Sequence, residues 1–490
     1  MLEAFKSSRL FSRVNLAVWS PKMDVLAVLY DDSLDHVEFR RMDWTKVNSI
    51  SIKNDSVNHL CFSPNGRMIC LSTLNRKLLI YNVEDTVLLS SNTFQSGITA
   101  IAVGSFGSGN IFAISFDDGS ISIFFGFHLA LCHFQLEQSA KEMSFFENEL
   151  YILLEDMKTV QRYSLPFLDN SSSILYIVSE TISSFWILQQ RIENSLDKVN
   201  ENWNMLKNDI KPILKHLPSI TNSILLHGIT PSDLSTEQLP KIKKIVFHSL
   251  NEIVVLYTDV IIPSFLEIGE CKSKLNAAEE FSSNDLGLKL TNLSSNSYLP
   301  KCFDILDQLH LFKECFESLF EFLSGADLIT TMDKYHLQPH MMVNFIKNLD
   351  FSFDLTFSDL ESKPISTPIH IPQEHSSTLI DGRFSTLNGQ FLCSLSNKTV
   401  VTYDLHREEQ KEYPFEDFVV YSYPFPDGCV GCFIQDEEQV RFIMMGSDDE
   451  SFNGLPISDV SSFIVSNRRI ALVVSPENFF SVVDLESVQE

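Results

Sequence analysis

Residues Leu16–Asp32 read LAVWSPKMDVLAVLYDD, and 43 residues further on His59–Asn75 reads HLCFSPNGRMICLSTLN. Each phrase is a short apolar run ending in an aromatic, then Ser-Pro and a polar turn, then a second apolar run, which is the pattern of two strands joined by a tight turn. The layout recurs in ITAIAVGSFGSGNIFAISFDDGSISIF (Ile98–Phe124) and in KEMSFFENELYILLEDMKTVQRYSL (Lys141–Leu165). Near the other end it returns in Gly382–Leu405, Tyr421–Met445 and Ser461–Leu485. With Trp19, Phe62, Ala102 and Ser144 as equivalent positions the steps are 43, 40 and 42 residues; Phe384, Tyr423 and Phe463 give 39 and 40.

Seven units of three or four short strands at a period near 40 are the signature of a β-propeller of the WD40 type. One small sheet cannot cover both of its apolar faces, so each blade needs a neighbour on either side. Asn65-Gly66, Asp118-Gly119 and Asn388-Gly389 supply the positive φ that tight hairpins demand. The WD and GH dipeptides are missing, and strand ends read IYNVE, TYDLH and VVDLE, keeping an acid only at Asp404 and Asp484. The sequence therefore predicts a degenerate, seven-bladed WD40-like propeller. The repeated Ser-Pro phrase carries shape rather than chemistry. Residues 1–18 are expected to close the ring with the last unit, RLFSRV (Arg9–Val14) being the stretch that could fill its open place.

Between the fourth and fifth units the texture changes to an inserted α-helical bundle. The expected organisation is blades 1–4 over residues 1–169, the bundle over 170–360 and blades 5–7 over 361–490. From Val178 the apolar positions Ile182, Phe185, Ile192, Leu196, Val199, Trp203, Leu206 and Ile210 form a heptad stripe with Gln189 its only polar member. Roughly 35 residues would reach about 50 Å, ending at Pro212 and Pro218. A capping box, Ser235 with Gln238, opens a second helix carrying Leu239, Ile242, Val246, Ile253, Tyr257 and Val260, which Pro263 kinks or stops. A third helix runs through Cys302–Gly325 and a shorter one through His340–Leu349. Residues 279–298 and 361–377 read as a loop and a return linker.

The chain has 37 Lys plus Arg against 64 Asp plus Glu, a formal charge of −27, which repels phosphate backbones and anionic lipid. Nucleic acid and membrane are not expected as partners. The most apolar window, Ile245–Ile268, holds His248, Glu252 and Asp259 and is broken by Pro263, so it is read as a buried helix. The start lacks the apolar core of a signal peptide. Nine scattered cysteines fit reduced thiols in cytosol or nucleus.

No constellation suggests catalysis, a metal, a cofactor or a small-molecule substrate. Cys429 and Cys432 have CxxC spacing but lie in a strand, where residues three apart face opposite ways. His336 and His340 are separated by Pro339 and lack the Glu of a metalloprotease motif. Gly104–Asn110 joins two strands with no following Lys-Ser/Thr, which makes it a hairpin loop. Ser447–Ser451 is an acidic loop that could accept phosphate.

The layout resembles the subunit 4 family of the anaphase-promoting complex (cyclosome). The likeness rests on the first-blade phrase with its echo CFSPNGRMICL, on ETISSFWILQQRIENSLDKVNENW at the opening of the insertion, and on LFKECFESLFEFLSG late in it. This chain is shorter than typical members, chiefly in the helical part. The resemblance implies a non-catalytic scaffold of a cell-cycle ubiquitin ligase, contacts with subunits 1 and 5, and residence in nucleus and cytoplasm. Another propeller-plus-helix scaffold, of a coat, pore or trafficking complex, and a degron-reading propeller are the alternatives.

Overall fold

The computed structural model describes residues 2–107, 109–165, 167–214, 239–285, 290–291, 298–338, 341, 345, 365–366, 375–379, 384–396, 398–435, 440–446, 452–454, 460–467 and 469–488. Its contacts divide the chain into two compact units, one of Met1–Ser179, Ser282–Lys289 and Ser366–Glu490, the other of Glu180–Phe281 and Leu290–Ile365.

The first unit is a seven-bladed propeller of four-stranded antiparallel sheets. Blade 1 runs Val14–Trp19, Leu26–Tyr30, Ser33–Arg40 and Lys46–Ser51 in simple up-and-down order. Blades 2, 3, 5 and 6 repeat that order over Val57–Thr93, Ile98–Gln135, Phe384–Pro414 and Phe418–Gly454. All seven positions aligned in the sequence fall in the first strand of their sheet.

Burial explains why the middle strands are continuous apolar runs. In Leu26–Tyr30, Leu26 and Val28 pack toward blade 7 while Ala27 and Leu29 pack toward blade 2. In blade 7, Leu472 joins the cluster shared with blade 1 and Val473 the cluster shared with blade 6. A strand with a neighbour sheet on each face needs no polar side, so alternation disappears. Polar links reinforce these interfaces along the inner strands. Leu387 N donates to Glu142 Oε2 at 2.9 Å, Gly389 N to Ser144 Oγ at 2.8 Å, Thr386 Oγ1 to the Ser422 carbonyl at 3.0 Å and Trp19 Nε1 to the Ile464 carbonyl at 3.0 Å.

Two blades are built from distant pieces. Blade 7 combines Ser462–Val465, Ile470–Val474 and Phe479–Val488 with the N-terminal strand Leu2–Arg9, which runs antiparallel to Phe479–Val488. The ring is thus closed from within residues 1–18 as expected, the strand itself being Leu2–Arg9 rather than the phrase Arg9–Val14. The latter is mostly the connection into blade 1, with Leu10 buried between blades 7 and 1. Blade 4 takes Ala140–Phe146, Glu149–Leu154 and Thr159–Ser164 from before the insertion and His375–Leu379 from after it. It is therefore not complete by residue 169, and the expected linker 361–377 runs into its outer strand.

The helix α1, Phe167–Leu214, is 48 residues long, so it extends about 72 Å and exceeds the expected length by its early start. Pro212 lies inside its last turn rather than ending it; Pro218, with Ser235 and Gln238 of the capping box, falls outside the described residues. Its first turns belong to the propeller unit: Leu175 and Val178 are buried, and Ser179 Oγ donates to the Phe125 carbonyl at 2.9 Å. Gly126, at φ +62°, lies so close that a Cβ there would overlap Ser179 Oγ.

The rest of the heptad stripe is buried as its spacing requires, including Gln189, Trp203 and Ile210. It forms one core with α2 (Leu239–Val255), α3 (Ile262–Asp285), α4 (Leu299–Leu323) and α5 (Leu328–Lys334). Trp203 stacks on Phe312 with centroids 6.2 Å apart. Between α2 and α3 the chain does not stop at Pro263. A π-helical turn, Leu256–Ile261, precedes it, with Ile262 N bonded to the Tyr257 carbonyl. That widened turn absorbs the missing proline N–H without ending the helix, and Tyr257 and Ile261 face the core.

Among the described residues one helical stretch, Leu239–Ala278, is long and apolar enough to cross a bilayer, at a mean hydropathy of 1.6. Its face bearing Val246, Leu250, Ile253, Phe265 and Ile268 lies in the helical core. The expected loop at 279–298 is helical up to Asp285 and includes a two-residue strand, Leu290–Thr291. Of the expected helix His340–Leu349, only Met341 and Phe345 are described, both helical. Gly325, at φ +99°, stands two residues beyond the end of α4.

Candidate functional site

The Ser-Pro turns come first because the sequence makes them conspicuous. Ser20 N bonds the Val25 carbonyl at 2.8 Å and Ser63 N the Met68 carbonyl at 2.9 Å, so each serine opens a tight hairpin. Their hydroxyls also cap the turns, taking Met23 N at 3.1 Å and Met68 N at 3.0 Å. The two turns interlock: Gly66, at φ +76°, sits where a Cβ would overlap Ser20 Oγ. Both hydroxyls are spent on shape.

The strand-end acid Asp404 is likewise structural. Asp404 Oδ1 accepts from His406 N and Arg407 N, both at 3.1 Å, while Oδ2 accepts from Gln390 Nε2 at 3.3 Å. Asn82 does the same at the corresponding corner of blade 2, accepting from Glu84 N at 3.0 Å. Asp118 takes the Ser120 amide and hydroxyl and the Ser96 hydroxyl, and these bonds hold its carboxyl down at about 2.

Cys429 and Cys432 pack into different clusters on opposite faces of the blade 6 sheet. Burial raises both thiols, Cys432 to about 12, which keeps it protonated and a poor nucleophile or ligand. His336, at φ +54°, lies just beyond α5; His340 is outside the described residues. Gly104–Asn110 is the expected hairpin, with Phe106 paired to Gly109. Ser447–Asp449, Glu450 and Ser451 are outside the described residues. Among the described residues no three His, Cys, Asp or Glu side chains are grouped to hold a metal.

What the structure adds are charged clusters that no sequence spacing announces. Glu149 gathers Arg162, the Tyr151 hydroxyl and His406 Nδ1, joining blade 4 to the corner of blade 5. A cleft of about 400 Å³ opens beside it between blades 5 and 6, lined by Phe391, Tyr403, Lys411, Tyr413, Pro424 and Asp427. Of its charges, Arg407 lies 3.7 Å from Asp404, and Asp427 is paired with Arg469. On the inner strands Glu142 is held by the Leu387 amide, yet burial raises its carboxyl above the ordinary range.

Residues 17–105, which span the two interlocked Ser-Pro turns and the start of blade 3, match the family described as the anaphase-promoting complex subunit 4 WD40 domain. The resemblance to anaphase-promoting complex subunit 4 is borne out. Over those residues the match supports a likeness to a WD40 domain of that complex, and WD40 propellers are in general non-catalytic. A chain from the crystal structure of the mitotic checkpoint complex aligns over 99% of this chain and 94% of its own, at 8% identity and a TM-score of 0.43. A chain of KlHsv2, with loop 6CD replaced by a Gly-Ser linker, aligns over 30% of this chain and 52% of its own, at 14% identity and a TM-score of 0.27. Neither likeness is close enough to carry an argument, and the fold rests on the seven sheets themselves. No curated protein matches the chain.

Proposed function

We propose that the chain is a non-catalytic scaffold subunit of the anaphase-promoting complex, holding platform subunits 1 and 5 by protein–protein contacts and working in nucleus and cytoplasm. The observation that carries this reading is the subunit 4 match over residues 17–105. The architecture supports it, because a rigid seven-bladed body and a separately cored helical unit offer two surfaces on one chain. Engaging both raises the effective concentration of each contact beyond what either supplies alone. The test replaces residues 180–365 with a short flexible linker and measures co-purification with subunits 1 and 5 at near-physiological salt. Loss of stable incorporation, with the propeller still folded, is the expected result. Retention at wild-type level would make the helical unit dispensable, and ubiquitin transfer by the isolated chain would overturn the scaffold reading.

A further inference from the structure

The helical stretch Leu239–Ala278 is more apolar than its core contacts need: its most apolar window has a mean hydropathy of 1.6, yet only 39% of it is buried. Val255 lies nine residues after the buried Val246, and Leu266 nine before the buried Leu275. Two and a half turns separate each pair, so Val255 and Leu266 stand on the side away from the buried one. They are 49% and 54% exposed. Gly269, one turn beyond Leu266, is exposed on the same side, and a Cβ there would meet nothing within 4 Å. A glycine inside a helix weakens it, and nothing among the described residues packs against this one.

The charge on this side has one sign. From Ile245 to Cys271 the sequence holds four acids, Glu252, Asp259, Glu267 and Glu270, and no Lys or Arg. All four are exposed, and none has a cationic partner among the described residues. His248 stands one turn before Glu252, at the end of the strip. The local surplus has the sign of the whole chain, whose formal charge is −27.

We propose that this side of α2 and α3 docks an amphipathic helix of a partner protein that carries Lys or Arg on either side of an apolar ridge. The ridge packs along Val255 and Leu266 and comes closest at Gly269, while the bases meet Glu252, Asp259, Glu267 and Glu270. A helix is the fitting shape, because Glu252 to Glu270 is a strip of about 27 Å, at 1.5 Å per residue, rather than a pocket. Charge complementarity fixes the sign. A second copy would set the same acidic strip against a chain of charge −27, and an anionic membrane is repelled likewise. The inference deepens the scaffold reading, on which it rests for the existence of a protein partner, by naming the chemistry of one contact.

The test is fluorescence anisotropy of the full chain with a labelled peptide of three Leu-Lys-Lys-Leu-Ala-Lys-Ala repeats. Its controls are the counterpart with every Lys replaced by Glu and a scrambled peptide of the same composition without the helical period. Saturable binding of the first peptide is expected, weakening as salt rises and falling about tenfold or more for either control. The double variant Glu267→Lys, Glu270→Lys should show the same loss. The double variant Glu137→Lys, Glu477→Lys, which changes the net charge equally at exposed turns of the propeller, should bind as the wild type does. Gly269→Gln should lose binding at a melting temperature unchanged or raised, since glutamine is the better helix former, so that loss cannot be laid to unfolding. Absence of saturable binding, or an equal loss in the two double variants, overturns the proposal. Self-association in sedimentation that Leu266→Ser abolishes assigns the strip to a second copy. Binding to phosphatidylcholine vesicles that Leu266→Ser loses assigns it to lipid; either result overturns a helix-docking site. Co-purification with subunits 1 and 5 but no peptide binding counts against this strip alone, whereas peptide binding without co-purification counts against the scaffold reading alone.

Discussion

The propeller and the helical unit solve the burial problem in opposite ways. In the helical unit a single core runs from Phe185 to Phe345 and draws on every described helix, so each large side chain in it supports the whole. In the propeller, burial is shared among interfaces such as Ala27–Leu29 against blade 2 and Leu26–Val28 against blade 7. A lesion there is felt first by two blades, and the ring transmits it only through closure. The difference teaches where each unit is fragile: the propeller at its seam, the helical unit at its centre.

The seam should be the most sensitive point. Deleting Leu2–Arg9 uncovers the strand Phe479–Val488 and leaves blade 7 with an open edge. The expected outcome is the largest fall in propeller melting temperature of any change considered, with the helical unit melting as before; differential scanning calorimetry resolves the two transitions. If the truncated chain melts like the full one, closure contributes nothing and the contrast fails.

At the centre of the helical unit, Trp203 is buried at 3% exposure and stacked on Phe312. Trp203→Ala should destabilise that unit by about 3–5 kcal/mol and spare the blades. Denaturant unfolding followed separately by far-UV helix signal and by amide exchange in the blades checks this. An equal loss in both units would show one cooperative body rather than two.

The smallest effect concerns pH. Burial raises the Glu142 carboxyl on the inner strand of blade 4. A carboxyl whose folded value lies above its unfolded one binds its proton more tightly when folded. Its contribution is fully present below the ordinary Glu value and is lost as pH rises through the raised one. Glu142→Gln keeps an acceptor for the Leu387 amide and removes that loss. The variant should therefore flatten the decline of propeller stability above the ordinary Glu range, without touching the helical unit. Parallel stability–pH curves for variant and wild type would refute the assignment.

How much was legible in the sequence follows the same physics. The α1 stripe from Val178 to Ile210 could be read residue by residue because one buried helix face leaves a strict period. The middle blade strands were legible because burial on both faces writes them as unbroken apolar runs, as in Leu26–Leu29 and Ile470–Val474. The outer strands were not. Glu409–Pro414 is almost wholly exposed, and HSSTL at His375–Leu379 carries no apolar signal beyond its last residue, so the latter passed for linker. The closing strand LEAFKSSR was missed in favour of RLFSRV for the same reason. Of the two outcomes read for Pro263, a kink or a stop, the stop does not occur, because a π turn with no sequence signature accommodates the proline. Of the site, the Ser-Pro turns and the opposed faces of Cys429 and Cys432 were foreseeable. The Glu149 cluster was not, since His406 reaches it from another blade.

The division of blade 4 has a consequence for how the protein is made. Its third strand ends at Ser164 and the fourth begins at His375, a gap of roughly 210 residues that a ribosome crosses in about 10–40 s. Throughout that interval Thr159–Ser164 waits with an unpaired edge while the helical segments emerge between the two halves of the sheet. Leu2–Arg9 waits longer still, until Phe479–Val488 has left the exit tunnel. Leu2–Arg9 is thus among the last strands of the propeller to find its place, and while residues 165–375 are being made both it and Thr159–Ser164 lack a partner.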